Sequence, residues 1–189
     1  MPGKKKSPAK NPPAMDEDGW APHTGKFILA IAALFLFFSF IFSLIPLEWF
    51  EHFYAAGTLF ILRFFGFGGE ITLQEPVLLH LRGFALPLGF SYLCTGLLEL
   101  ALVWSAVLAS FGVGLRKRII GAAAGTLVLV AFNFVRIVSS VLIISAFGLD
   151  VGNFAHDLFF RAFLFVTVAG FYYFWFGWAG RGEKTTFFK

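Results

Sequence analysis

Long apolar runs occupy most of this sequence, and they restrict the folds that are open to it. The run at 27–45 contains no charged residue, and the run at 119–149 contains only Arg136. A helix of about 20 residues crosses the roughly 30 Å hydrocarbon core of a bilayer, because each residue adds about 1.5 Å. Runs of this length and composition are typical of membrane-spanning helices.

The composition also excludes a soluble domain. Hydrophobic residues make up 58% of the chain and charged residues only 14%, with a mean hydropathy of +0.79, values that only a membrane protein combines. We predict an all-α polytopic membrane protein with a disordered cytoplasmic tail at 1–26, one membrane domain at 27–180 and a cytoplasmic tail at 181–189. The four predicted spans are 27–45, 93–113, 119–147 and 158–178.

The segment between the first two predicted spans follows two other patterns. Residues 47–67 are apolar but include three charged side chains and a histidine, which favours a helix at the membrane interface. From Glu70 onward apolar and polar residues alternate with a period of two, and Glu75-Pro76 interrupts them as a turn would. We predict an interfacial helix and a small extended or β element at the outer face. The pattern leaves open whether 47–90 crosses the membrane.

Basic clusters indicate how the spans are oriented. Lysines crowd the N-terminal tail, the loop at 114–118 carries three basic residues, and Arg181 and Lys184 follow the last run. The positive-inside rule places such clusters in the cytoplasm of the enclosing cell membrane, so both termini are cytoplasmic and the span at 93–113 runs inward. Because the basic residues share no face, they indicate topology and not nucleic-acid binding.

Three chemically useful residues reach the outer face by this topology. Cys94 begins an inward-going span, and His156 precedes the last inward-going span. Arg136 lies about 26 Å along the outward-going helix that starts at Ile119, which brings it to the same boundary. Because this apolar run is longer than the bilayer core, we expect it to protrude, tilt or break near 133–136.

These residues suit a thiol acyl-transfer site. A thiol attacks a carbonyl group as the thiolate, whose formation a nearby base or cation promotes. His156 is the candidate base, and Arg136 is the candidate stabiliser of the thiolate or of an oxyanion. Asn133, on the helical face of Arg136, and Thr95 are candidates for oxyanion or orienting support. Cys94 is the only cysteine, and the sequence calls for no cofactor or metal.

The motifs resemble those of the exosortase/archaeosortase family of membrane transpeptidases. The likeness rests on Tyr92-Leu93-Cys94-Thr95-Gly96-Leu97, on Asn133-Phe134-Val135-Arg136-Ile137 and on His156, and it covers about 84–178. It implies that Cys94, Arg136 and His156 form the catalytic set. It also implies that the substrates are secreted surface proteins ending in a short motif, a transmembrane helix and a basic tail. Cleavage at the outer face would pass through a thioester, and the product would go to a lipid or amine acceptor or be released.

Two other interpretations stay open. In a non-enzymatic assembly subunit, Cys94 would be a packing residue and Arg136 would bind membrane lipid headgroups. In a small transporter, Glu99, Arg136 and Arg161 would line the solute path. Glu99 and Arg161 lie at a similar depth on two inward-going spans, so we also predict a structural ion pair between them.

Overall fold

A computed structural model describes residues 21–84, 86–156 and 160–181 of the chain. Of the predicted tails at 1–26 and 181–189, residues 1–20 and 182–189 lie outside the described part, whereas residues 21–26 are helical and belong to the first helix. Six α-helices and three strands follow one another in these described ranges. They are α1 (Ala21–Ser43), α2 (Leu47–Phe64), β1 (Gly69–Thr72), β2 (Val77–Leu81), β3 (Leu88–Phe90), α3 (Leu97–Leu108), α4 (Leu115–Phe147), α5 (Leu149–Phe154) and α6 (Phe160–Ala179).

Three of the described helices are long and apolar enough to cross a membrane, namely α1, α4 and α6. The remaining predicted span, at 93–113, contains only the 12-residue helix α3, which is about 18 Å long. Helix α3 ends at Leu108, and the chain then turns at Gly112, whose φ of 85° is in the left-handed region that favours glycine. The chain is therefore mostly helical with three candidate spans, and the fourth span is not confirmed.

Helix α4 is continuous for 33 residues, or about 50 Å, so the break expected near 133–136 does not occur. The polar residues there are buried against other parts of the protein: Asn133 is 3% exposed and Arg136 5% exposed. Their polar groups therefore meet protein and not lipid, and the helix can stay intact. Helix α4 also begins at Leu115, so the basic cluster predicted as a loop lies in its first turn.

Basic side chains in the first turn of α4 cap the C-terminal ends of α3 and α6 through hydrogen bonds. Arg118 donates from Nε to the Val113 carbonyl at 2.7 Å and from Nη1 to the Leu108 carbonyl at 2.9 Å, at the end of α3. Lys117 donates from Nζ to the Ala179 carbonyl at 2.6 Å, at the end of α6. The carbonyl groups of Leu108 and Ala179 lie at helix ends, where carbonyls lack partners within the helix. The positive charges of Arg118 and Lys117 are also attracted to the negative ends of these helix dipoles.

The alternating segment forms a three-stranded antiparallel sheet in the order β1-β2-β3. The central strand follows the expected period, since Val77, Leu79 and Leu81 are buried and His80 is exposed. The predicted small β element is thus confirmed, with one strand more than a hairpin. Its buried face packs on α2, which carries charged residues at both ends.

The apolar core has two main parts, which we call the outer part, around the sheet, and the membrane part, among α3, α4 and α6. The outer part joins α2, the sheet and the later turns of α4; its buried members are Tyr54, Ala55, Leu59, Leu62, Val77, Leu79, Leu81, Phe90, Ile137, Val138 and Val141. The membrane part joins α3, α4 and α6, with Trp175 and Leu129 among its buried residues. A smaller cluster fastens α1 to α3 through Phe42, Leu97 and Ala101. The segment between β3 and α3 lies where these parts meet.

Glu51 is a buried carboxylate that ties the sheet to α2. Only 3% of its surface is exposed, and its Oε2 accepts a hydrogen bond from the Val77 backbone N–H at 3.0 Å. Val77 is the first residue of β2. Because a buried N–H without a partner costs free energy, this contact fixes the position of the start of β2 relative to α2.

Replacing Glu51 by Ala should therefore destabilise the outer part of the protein. Loss of a buried hydrogen bond to a charged acceptor costs about 1.5–3 kcal/mol, and we expect the thermal midpoint in detergent to fall by about 5 °C. Glu51→Gln keeps an oxygen acceptor at the same place and should retain most of the stability. Equal midpoints for the alanine variant and the native protein would contradict this role.

Candidate active site

Cys94 lies in a tight helical turn, Tyr92–Cys94, between β3 and α3. The Cys94 backbone N–H donates to the Ser91 carbonyl at 2.8 Å, and the Thr95 hydroxyl donates to the Tyr92 carbonyl at 2.7 Å. Gly96 then takes a φ of 70° and starts α3. The turn holds the half-buried thiol at the junction of the outer and membrane parts of the core.

Helix α4 contributes a buried polar stripe made of Asn133, Arg136 and Ser140. Their spacing of three and then four residues places them on one helical face. Asn133 donates from Nδ2 to the Cys94 backbone carbonyl at 2.7 Å. Ser140 donates from Oγ to the Arg136 carbonyl at 2.8 Å, within the helix. The stripe therefore holds the cysteine turn from one side.

His156 reaches the stripe because the chain folds back after α4. Gly148, with a φ of 88°, ends α4, and α5 then packs closely on it, since a side chain at Gly152 would collide with α4. The two ring nitrogens of His156 have different neighbours. Nε2 lies 3.5 Å from Arg136 Nη2, and Nδ1 lies 3.3 Å from Ser140 Oγ.

The surroundings of Cys94 favour its thiolate. Burial raises the pKa of the thiol, but a hydrogen bond with the His156 ring, hydrogen bonds with Ser91 and the positive charge of Arg136 outweigh it. The pKa falls from its ordinary value of 9.0 to about 7. About half of the thiol is then ionised at neutral pH, and thiolate is the form that attacks electrophiles.

The structure thus brings together Cys94, Arg136, His156 and Asn133, which topology had placed at one level. Asn133 holds the cysteine turn through the Cys94 carbonyl, and its role in supporting an oxyanion or orienting Arg136 stays a prediction. The Thr95 hydroxyl uses its only hydrogen inside the turn, so it supports the turn and does not offer that hydrogen to an oxyanion.

Glu99 lies away from the thiol, on the first turn of α3. It borders a cavity of about 390 Å³ next to the cysteine turn, together with Tyr54, Thr95, Thr126 and Asn133 and with apolar side chains. The side chain of Arg161 lies outside the described part of the chain, so its ion pair with Glu99 stays a prediction. Within the described ranges, no cluster of His, Cys, Asp or Glu is placed to hold a metal ion.

Sequence reasoning missed two residues of the site, Ser91 and Ser140. Ser91 Oγ lies 3.7 Å from the Cys94 sulfur. A signal for Ser140 was present, because it continues the polar stripe of Asn133 and Arg136 on an otherwise apolar helix. Ser91 carries no comparable signal, since its contact depends on the turn geometry.

Comparison of the chain with protein-family models, with curated proteins and with solved structures found no match in any of the three. The resemblance to the exosortase/archaeosortase family therefore rests on the sequence motifs.

The thiol should react with iodoacetamide in a pH-dependent way that reports its environment. The alkylation rate should rise with pH, reach half of its maximum near pH 7 and level off above, because the thiolate is the reacting form. Removal of the ring in His156→Gln should move the midpoint upward, towards 9.0. Intact-mass measurement is unambiguous, since the chain has one cysteine. Matching midpoints in the two proteins would contradict the contact.

Gly96→Ala should damage both the turn and its thiol. A non-glycine residue in the left-handed region costs about 1–2 kcal/mol, so we expect a lower thermal midpoint and slower alkylation of Cys94 at pH 7. The matched control is Gly170→Ala in α6, where an added Cβ meets nothing within 4 Å and helix propensity improves. An alkylation rate unaffected by Gly96→Ala would count against the turn as the element that positions the thiol.

Proposed function

We propose that this protein is a membrane-embedded cysteine peptidase or transpeptidase. It cleaves the C-terminal sorting signal of secreted surface proteins at the extracytoplasmic face of the cell membrane. Cys94 is the nucleophile, His156 the general base and acid, and Arg136 the cation that stabilises the thiolate and the oxyanion. The observation that carries the proposal is the convergence of three segments at the thiol: Arg136 Nη2 lies 3.5 Å from His156 Nε2, and both the His156 ring and the Arg136 charge lower the pKa of Cys94.

Three separate segments supply these groups, which favours a chemical role over packing. The cysteine comes from the turn before α3, the arginine from the middle of α4 and the histidine from the segment after α5. A buried arginine in an apolar helix costs free energy, so its presence favours a functional role. A lowered thiol pKa beside an imidazole is the usual arrangement of an activated cysteine.

The reaction proceeds in two acyl transfers. His156 takes the thiol proton, and Cys94 Sγ attacks the carbonyl carbon of the substrate peptide bond, while Arg136 stabilises the negative charge on the carbonyl oxygen. The C–N bond then breaks, His156 gives its proton to the departing amine, and a thioester remains. An amine acceptor or water attacks the thioester, the C–S bond breaks, and the proton of the acceptor returns through His156 to the thiolate.

The depth of the site agrees with a membrane-anchored substrate. Arg136 lies about 32 Å along α4 from Leu115, close to the thickness of the hydrocarbon core. The basic turn of α4 and the ends of α3 and α6 mark the opposite boundary. If that basic boundary lies in the cytoplasm, as the positive-inside rule predicts, the thiol faces outward. A substrate helix in the same bilayer then presents the residues that precede it at the level of Cys94.

The family resemblance supplies the substrate class. Exosortases and archaeosortases act on proteins that end in a short motif, a transmembrane helix and a basic tail. The match of Cys94-Thr95-Gly96 and of Asn133 to Arg136 supports the same class here. The acceptor is an amine, a lipid or water.

Processing of such a substrate should depend on the thiol. We would co-express the protein with a secreted protein of the same genome that carries this tripartite C-terminus and follow the substrate mass. Cys94→Ala and Cys94→Ser should lower processing by at least about 10³-fold, as loss of a covalent nucleophile does. Ser139→Ala, a small change on the same helix as Arg136, should leave processing intact.

The thioester offers a direct check on the mechanism. Rapid acid quench of the native protein should show a mass adduct equal to the N-terminal substrate fragment, and hydroxylamine should release it. Unimpaired processing by Cys94→Ala would refute the cysteine mechanism. Solute uptake that depends on Glu99 and Arg136, without any processing, would favour a transporter instead.

A further inference from the structure

Ser140 occupies a central place in the contacts around His156. Its Oγ donates to the Arg136 carbonyl at 2.8 Å and lies 3.3 Å from His156 Nδ1. The residue is buried, with 7% of its surface exposed. A serine that only bonds back to its own helix is ordinary, but this one also touches the candidate base.

A count of hydrogens determines the direction of the second contact. A serine hydroxyl has one hydrogen and two lone pairs. The Arg136 carbonyl takes that hydrogen, so towards Nδ1 the Ser140 oxygen acts as an acceptor. Nδ1 must therefore carry a hydrogen for the contact to be favourable.

Arg136 leads independently to the same tautomer. A guanidinium donates hydrogen bonds and accepts none, so its Nη2 at 3.5 Å requires a lone pair on His156 Nε2. A neutral imidazole has one N–H and one lone pair. The contacts with Ser140 and Arg136 are thus both favourable in the same tautomer, with a hydrogen on Nδ1 and a lone pair on Nε2.

We propose that Ser140 is a positioning residue that holds neutral His156 in the Nδ1–H tautomer, so that Nε2 carries the only lone pair of the ring and takes the proton of Cys94 in place of the hydrogen bond from Arg136. Once the proton has moved, the same hydroxyl oxygen accepts a hydrogen bond from the Nδ1–H of the imidazolium and stabilises it. This inference rests on the proposed function for its catalytic consequence, while the tautomer and its effect on the thiol do not depend on substrate.

The other groups around the ring do not supply this contact. Within the described residues, the charged and titratable groups that face His156 are Arg136 from α4 and Cys94 from the turn before α3. Arg136 can only donate hydrogen bonds, and Cys94 is the partner in proton transfer. Cysteine and serine hydrolases commonly use a carboxylate or amide to orient the histidine. Here a neutral hydroxyl on the neighbouring helix has that position.

The first test is the pH dependence of Cys94 alkylation in the full-length protein in detergent, with iodoacetamide as the probe. Ser140→Ala removes the acceptor at nearly constant size. We expect the midpoint to rise by about one pH unit, which lowers the rate at pH 7 by several-fold, because the imidazolium loses a hydrogen bond. Ser140→Thr keeps the hydroxyl and should restore the native midpoint.

Ser139→Ala is the matched control, one residue away on a different face of α4. It should leave the midpoint unchanged, and thermal unfolding of all variants separates a general loss of stability from a change at the ring. An unchanged midpoint in Ser140→Ala, with or without a lower unfolding temperature, would overturn the positioning role.

A second measurement remains decisive where Ser140→Ala does not fold. Nitrogen NMR of the native protein with labelled histidine, assigned with His156→Gln, distinguishes Nδ1–H from Nε2–H directly at pH 8. The neutral His156 signal should be that of the Nδ1–H form, and the Nε2–H form would refute the proposal.

Substrate processing then separates this inference from the proposed function. If processing occurs, Ser140→Ala should lower kcat about tenfold without changing KM. If the native protein processes no substrate, the proposed function fails, yet the alkylation midpoint and the NMR signal still decide the role of Ser140.

Discussion

The burial of polar side chains on one face of α4 is the constraint on which the rest of the site depends. Asn133, Arg136 and Ser140 interrupt an apolar helix, and groups of this kind are costly in a bilayer unless protein surrounds them. The cysteine turn meets Asn133, and the segment after α5 brings His156 to Arg136 and Ser140. The same contacts that make α4 compatible with a membrane therefore assemble the thiol, the imidazole and the guanidinium.

The site also depends on a junction between two kinds of packing. The sheet and α2 form a core with the later turns of α4, whereas α3, α6 and the earlier turns of α4 form the membrane core. Cys94 lies in the short connection between them, where Gly96 redirects the chain into α3. A rigid support on each side allows a reactive group to be half-buried and still accessible, which a position inside either core would prevent.

Much of this arrangement could be predicted from local patterns. The alternation around Val77 and Leu79 indicated the sheet, and the level of Cys94, Arg136 and His156 followed from the order of apolar runs and basic clusters. The shortness of α3 could not be predicted, because the apolar run continues beyond Leu108, where the helix ends, to Val113. Hydropathy does not register the turn in between. Whether α4 would protrude, tilt or break was left open by the sequence, since only its neighbours show that its polar groups are satisfied inside the protein.

By itself the sequence determined the membrane class and the small β element, and it predicted a common depth for the candidate residues, because hydropathy and charge act along the chain one residue at a time. Only the tertiary structure decided which of these residues touch. The lowered thiol pKa, the tie between Asn133 and the cysteine carbonyl, and the place of Ser140 beside Nδ1 all depend on how α4 is rotated against its neighbours. Contacts of a few ångströms arise from that packing, and no one-dimensional pattern specifies it.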